Sequence, residues 1–193
     1  MERKKTHRLT VTAMLGAAAT VLMFVEFPIP FLVPPFIKMD ISELPALLAA
    51  FSLGPWYGVA VCLIKNIINL TTTYSGGIGE LANFLIGAVY TFTAGLIYQR
   101  HKSRRTALLA SGTASLTMAL LSVPVNYYIT YPFYEKLMPI EQILEAYNTI
   151  RPGADSLLEC LIFFNLPFTL LKGLVVSALC FLIYKPLSPL LHR

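Results

Sequence analysis

Lys172 lies inside an apolar run, Phe164-Asn165-Leu166-Pro167-Phe168-Thr169-Leu170-Leu171-Lys172-Gly173, where an ammonium group is too expensive to leave bare. It must snorkel to a polar boundary, pair with an acid such as Glu80 or Glu159, or contact a ligand. Thr169 precedes it by three residues, so the two share one helix face, with Asn165 and Phe168 nearby on that side. Asn126, followed by Tyr127 and Tyr128, offers a donor and an acceptor side by side. That suits the imide-like edge of a flat heterocycle, with aromatic rings to stack on, and equally an interhelical hydrogen bond. Glu80, Asn83 and Gly87 are spaced i, i+3, i+7 on one face of another helix. Lys38, Asp40, Ser42 and Glu43 come in quick succession behind a proline-rich stretch. This is chemistry for holding a small molecule. Signatures of catalysis are missing: there is no GxxxxGK[ST], HExxH or GxSxG, and no His stands near a candidate nucleophile.

The elements that must position these residues follow from composition. Of 193 residues, 56% are hydrophobic and 13% charged, and the mean hydropathy is +0.66. A soluble domain carries about 25% charged residues, so the chain falls in the membrane class. At about 20 apolar residues per span there is room for five or six helices and no separate soluble domain. Residues 1–193 are expected to form one integral-membrane domain, an all-α protein of six transmembrane helices at 9–27, 41–53, 58–72, 79–98, 107–131 and 157–184. The second of these is too short to cross a hydrocarbon core of roughly 30 Å unaided, so it is tilted, starts deeper, or is partial. The third holds Lys65, Asn66 and Asn69, too polar to face lipid. Before the last span, Ile140, Ile143, Leu144 and Tyr147 repeat at helical spacing between Glu141, Gln142 and Glu145, which predicts a short helix at the surface.

Between the first two spans stand Pro28, Pro30, Pro34 and Pro35 in almost wholly apolar company. Prolines forbid a helix there, water-exposed loops are seldom this apolar, and irregular backbone cannot face lipid. The segment is therefore expected to fold back over a cavity as a lid. Its orientation comes from charge. Arg3, Lys4, Lys5 and Arg8, the Arg100–Arg105 group with Lys102 and Arg104, and Lys185 and Arg193 make up ten of the fifteen Lys and Arg, with only Glu2 among the acids beside them. The positive-inside rule puts both termini in the cytoplasm and the proline-rich loop outside. The 71–77 turn and the 131–156 loop then also lie outside, as do Glu135, Glu141, Glu145 and Asp155. The basic surplus is a topology signal and calls for no nucleic acid.

Cys62, Cys160 and Cys180 are isolated in apolar runs, and His7, His101 and His192 lie in separate polar segments, so neither a disulfide framework nor a metal site is expected. No inverted repeat is visible, which argues against a self-contained transporter. Ala13 and Ala17, with Gly16 beside them, make a small-residue stripe on the first span that lets another helix approach, from this chain or from a partner.

Several stretches together resemble the riboflavin-specific S components of energy-coupling factor vitamin transporters. They are FPIPFLVPPFIKMDISELPALL, FSLGPWYGV, LIKNIINL, GELANFLIGA, VNYYI and PFTLLKG, in order across nearly the whole chain. The resemblance implies a non-enzymatic six-helix subunit of a bacterial plasma membrane. Such a subunit binds riboflavin from outside, needs no cofactor, and docks on a shared transmembrane subunit, EcfT, with two ATPase subunits. It implies a ligand-binding set of Met39, Asp40, Asn83, Gly87, Asn126, Thr169 and Lys172, and docking through Ala13, Gly16 and Ala17. Many riboflavin members read PFNxxKG where this chain has Thr169, which keeps FMN and roseoflavin open as ligands. Other vitamins (a folate precursor, pantothenate, thiamine) would keep the architecture. An intramembrane enzyme or an assembly protein are the readings from other classes.

Overall fold

A chain this apolar satisfies its backbone within helices. The computed structural model, which describes residues 2–73, 75–136, 139–153 and 156–191, is built accordingly. The order is α1 (Glu2–Phe24), β1 (Phe27–Pro28), β2 (Lys38–Met39), α2 (Glu43–Ser52), α3 (Pro55–Asn69), α4 (Ile78–Arg100), α5 (Arg104–Val125), α6 (Tyr131–Tyr134), α7 (Ile140–Ile150), α8 (Leu157–Cys160) and α9 (Leu166–Leu191). A 3-10 turn covers Leu70–Thr72, and π-helical turns at Asn126–Thr130 and Leu161–Asn165 join α5 to α6 and α8 to α9. Tyr74 and Asp155, assigned to outer loops from the sequence, fall outside the described residues.

Four stretches, Lys4–Phe24, Ile78–Arg100, Arg104–Tyr134 and Leu157–Ile183, are long and apolar enough to cross a membrane. The six-span expectation thus resolves into four helices of spanning length and two shorter ones. At 10 and 15 residues, α2 and α3 reach only about 15 and 22 Å at the usual rise of roughly 1.5 Å per residue. The shortness of α2 has a physical reason. It is apolar on every side, every residue from Glu43 to Phe51 is buried, and it packs against α1, α3, α4 and α9 as the centre of the bundle. Close backbone approaches hold this arrangement. A Cβ on Gly58 would stand 2.8 Å from the Ala50 Cβ, and one on Gly95 would stand 2.8 Å from Pro55 Cα. Tyr90 ties α4 to α9 by donating to the Gly173 carbonyl at 3.0 Å, with its hydroxyl also 2.8 Å from Ser177 Oγ.

The two ends of the bundle differ. Arg8 of α1 lies over the Tyr57 ring at the start of α3, and Gly54 abuts Gln99 near the end of α4. The basic start of α1, the α2–α3 turn and the Arg100–Arg105 turn therefore share one end. At the other, the proline-rich loop folds over the bundle. It is more regular than expected: β1 and β2 pair antiparallel, Phe27 opposite Met39 and Pro28 opposite Lys38, and Glu26 forms an ion pair with Lys38. Val33 and Met39 sink into an apolar cluster with Tyr131, Ile143, Tyr147, Cys160, Leu161, Phe164 and Phe168. The surface helix is present as α7, with Ile143 and Tyr147 buried beneath the loop.

Gly95→Ala should lower stability by about 1–3 kcal/mol, because Pro55 backbone has no room to retreat. Gly112 has open space where a methyl group would stand, with no atom of the described residues within 4 Å. It should accept Ala with a gain of up to about 1 kcal/mol from helix propensity. Thermal unfolding of both variants in detergent checks the contrast.

Candidate ligand-binding site

A cavity of about 870 Å³ opens at the end of the bundle opposite the basic segments, between the proline-rich loop, the C-terminal ends of α1 and α3, the start of α4, the π turn after α5, α6, α7 and the start of α9. Its floor is a network of four charges. Lys172 Nζ donates to Asp40 Oδ2 at 2.7 Å and lies 3.3 Å from Glu43 Oε2. Lys65, with no exposed surface, donates to Glu43 Oε1 at 2.6 Å and to Ser42 Oγ. The Ser42 backbone N–H donates to Asp40 Oδ1 at 2.9 Å. Two ammoniums and two carboxylates cancel, and each has contact partners, the condition under which charges survive burial. Lys172 therefore pairs with neither Glu80 nor Glu159, the acids suggested by sequence. Asp40 and Glu43 are brought to it because α2, buried on all sides, carries the segment before it into the core. Burial alone would raise the Asp40 carboxyl, but the Lys172 and Lys65 charges and the hydrogen bonds from Lys172 and Ser42 outweigh it and hold it well below the usual carboxylate range.

Five of the seven residues expected at a ligand, Asp40, Asn83, Asn126, Thr169 and Lys172, line this cavity together. The other two are placed elsewhere. Met39 is packed in the apolar cluster under the loop. Gly87 stands behind the floor, where a Cβ would come within 3.0 Å of Glu43 Oε1 and 3.4 Å of Cys62 Sγ. Its bare backbone leaves room for the Glu43 carboxylate. Tyr127 and Tyr128 do not furnish the stacking faces. They are 37% and 73% exposed and pack edge to face on each other. The aromatic lining comes from Phe36, Tyr131, Tyr134 and Phe168. Tyr127 and Tyr128 follow Asn126 by one and two residues and so point away from its face, while the wider π turn that starts at Asn126 brings Tyr131 and Tyr134 onto it.

Asn165, which spacing marks only as a neighbour of Thr169, lies on the cavity wall and accepts from Tyr147 Oη at 2.7 Å. Tyr131 Oη is hydrogen-bonded to Tyr147 Oη in turn. Burial, reinforced by Tyr131, pushes the Tyr147 phenol up, so it stays a neutral donor. The one signal for Asn165 in the sequence is an amide in an otherwise apolar FFNLPF run. At the far end, Glu80 Oε1 accepts from Asn69 Nδ2 at 3.1 Å, and Oε2 accepts from Thr73 Oγ1 at 2.8 Å and Ser75 Oγ at 3.1 Å.

A helical bundle of membrane-spanning length with an aromatic-walled cavity at one end is a membrane-embedded component for binding a small molecule. The sequence matches the family described as ECF transporter, substrate-specific component, over residues 7–184. It is 33% identical to the riboflavin transporter RibU of Staphylococcus aureus, covering 100% of this chain and 96% of that protein. It is 30% identical to the riboflavin transporter FmnP of Bacillus subtilis, covering 98% of this chain and 96% of the relative. A solved S component of a bacterial ECF transporter superposes with a TM-score of 0.75 at 32% identity, covering 98% of this chain and 99% of that one. The chain belongs to the substrate-specific components of ECF transporters, which are transport proteins and not enzymes.

Removing one member of the floor should expose its partner as an uncompensated charge. Lys65→Met should cost about 3–5 kcal/mol. Adding Glu43→Gln should recover part of that loss, a coupling that a double-mutant cycle of thermal stabilities reads directly.

Proposed function

We propose that this chain captures riboflavin at the outer face of a bacterial plasma membrane and delivers it to an ATP-driven ECF module. The observation that carries the reading is the position of the cavity: an aromatic-walled pocket with Asp40, Asn126, Thr169 and Lys172 on its wall lies at the end away from the basic segments. The positive-inside rule makes that end the outer one, with both termini cytoplasmic. In this arrangement α2 and α3 complete a six-helix topology, and the proline-rich loop covers the ligand as a lid. The imide edge of the isoalloxazine ring, rich in carbonyl acceptors, meets the donors of Lys172 and Asn126, with Thr169 beside them. The names of the two relatives support riboflavin as the ligand.

Docking on the shared transmembrane subunit EcfT, which carries the two ATPases, is assigned to α1. Ala13 and Ala17 are exposed, whereas Gly16 is buried against Ile64 of α3. The docking stripe is therefore the two alanines, with Gly16 serving the fit of α1 onto α3.

Equilibrium binding of a vitamin panel to the purified chain tests the ligand. Riboflavin fluorescence should quench on binding, and thiamine and pantothenate should not compete. Absence of flavin binding would overturn the reading. Asn126→Ala should weaken riboflavin binding by about 1–3 kcal/mol, the cost of leaving a buried polar edge unpaired. Ala13→Trp should abolish cellular uptake yet leave riboflavin binding by the isolated chain intact, because a bulky residue blocks helix–helix approach without touching the pocket. Loss of binding together with uptake would place the alanine in the chain's own packing.

A further inference from the structure

Three of the four carboxylates on the cavity wall have an ammonium beside them: Glu26 has Lys38, Glu43 has Lys65, and Asp40 has Lys172. Glu80 is the fourth, and among the described residues no cation lies within ion-pair distance of it. It sits in the first turn of α4. Thr73 Oγ1 and Ser75 Oγ, which donate to it, themselves accept from the backbone N–H groups of Gly77 at 3.2 Å and Gly79 at 2.9 Å. The N-terminal N–H groups of the helix thereby reach the carboxylate through the two hydroxyls.

Two more polar atoms at this end are buried with no hydrogen-bond partner among the described residues. Asn83 Oδ1 is one turn along α4 from Glu80, and Thr130 Oγ1 belongs to a side chain only 7% exposed. Tyr134 Oη comes up to Gly79, and Thr130 lies four residues before Tyr134. Both line the cavity. Gly87, which abuts Glu43 in the floor, is seven residues beyond Glu80, about 10 Å along the helix axis. Along the cavity, the paired ammonium of Lys172 thus lies at the floor, and the Glu80 carboxylate, with no ammonium beside it among the described residues, at the other end.

We propose that Glu80 is a specificity residue: with Asn83 and Thr130 it receives the hydroxyls of a neutral polyol chain and rejects the phosphate ester of the same ligand. This rests on the riboflavin reading. Carbonyls on the ring seek the floor donors, which directs the ribityl chain, whose hydroxyls can donate, toward Glu80. A phosphate there carries about −1.5 to −2 charge at neutral pH and as the dianion can only accept. It meets a carboxylate in a poorly screened space, where like charges repel strongly. The other ionisable groups facing this space are Glu26 and Lys38 of the first loop, Tyr131 and Tyr134 of α6, Asp40 and Glu43, and Lys172 of α9. Each of these ammoniums is already paired, so none offsets Glu80.

The test measures riboflavin and FMN affinities by fluorescence quenching for the unmodified chain, Glu80→Gln and Glu80→Asp. The unmodified chain and Glu80→Asp should prefer riboflavin by at least about tenfold, and Glu80→Gln should weaken riboflavin by a few-fold while strengthening FMN, narrowing that preference by about tenfold. Because the second phosphate proton leaves near pH 6, FMN binding should weaken as pH rises through about 6, riboflavin binding should stay flat, and Glu80→Gln should flatten the FMN profile. An unchanged ratio in Glu80→Gln, or equal loss of both ligands, overturns the inference and leaves Glu80 as a brace for the 73–79 turn. Should that variant fail to fold, a flat FMN profile in the unmodified chain overturns it as well. Failure of the unmodified chain to bind riboflavin at all is a separate result, and it removes the functional reading itself.

Discussion

Two ammonium groups lie within an apolar bundle, and each must be neutralised at contact distance or the bundle would not assemble around it. Much of the structure follows from meeting that demand. Lys65 comes from α3 and Lys172 from α9, while both counter-charges come from the segment entering α2. This requires α2 to be short, apolar on all faces and surrounded by four helices, so that its first turn arrives at the centre of the bundle. It also requires α4 to pass Glu43 without a side chain, which is the place of Gly87. A network neutral and hydrogen-bonded through the chain's own groups gives the cavity a fixed floor, and fixed polar groups bind with less ordering cost than mobile ones.

The long helices were legible from hydropathy because lipid leaves the backbone so few alternatives. The presence of polar groups on the third and last spans was equally plain, and Asp40, Asn83, Asn126, Thr169 and Lys172 do converge on one cavity. What spacing could not supply was the partner of Lys172. Asp40 is 132 residues away in the chain, and nothing local distinguishes it from Glu80 or Glu159. The inward role of α2 was hidden for a related reason: a short apolar run looks the same whether it meets lipid or protein.

The misplaced aromatic wall has a different origin. Helical periodicity assumes 3.6 residues per turn, and the π turns at Asn126–Thr130 and Leu161–Asn165 break that assumption within the site. Pro124 precedes the first and Pro167 follows the second, so in each case a missing N–H stands close to the widened turn. Counted forward from Asn126 on an ideal helix, Ile129, Thr130 and Phe133 would share its face, whereas the actual path brings Thr130, Tyr131 and Tyr134 to the cavity. Tyr147 belongs to the buried stripe of α7, as its spacing indicates, but its hydroxyl reaches Asn165 across the fold, a contact invisible to any one-helix pattern.

Met39 and Asp40 are consecutive residues with opposite allegiances. One is locked into the apolar cluster beneath the proline-rich loop, and the other is bonded to Lys172 in the floor. Adjacent Cα atoms are only about 3.8 Å apart, so the cover and the base of the chamber are joined by a tether with almost no slack. A loop that lifted as a unit would drag Asp40 with it and leave Lys172 with Glu43 as its one remaining counter-ion among the described residues. Any displacement of the loop would then be felt at the bottom of the chamber as well as at its mouth.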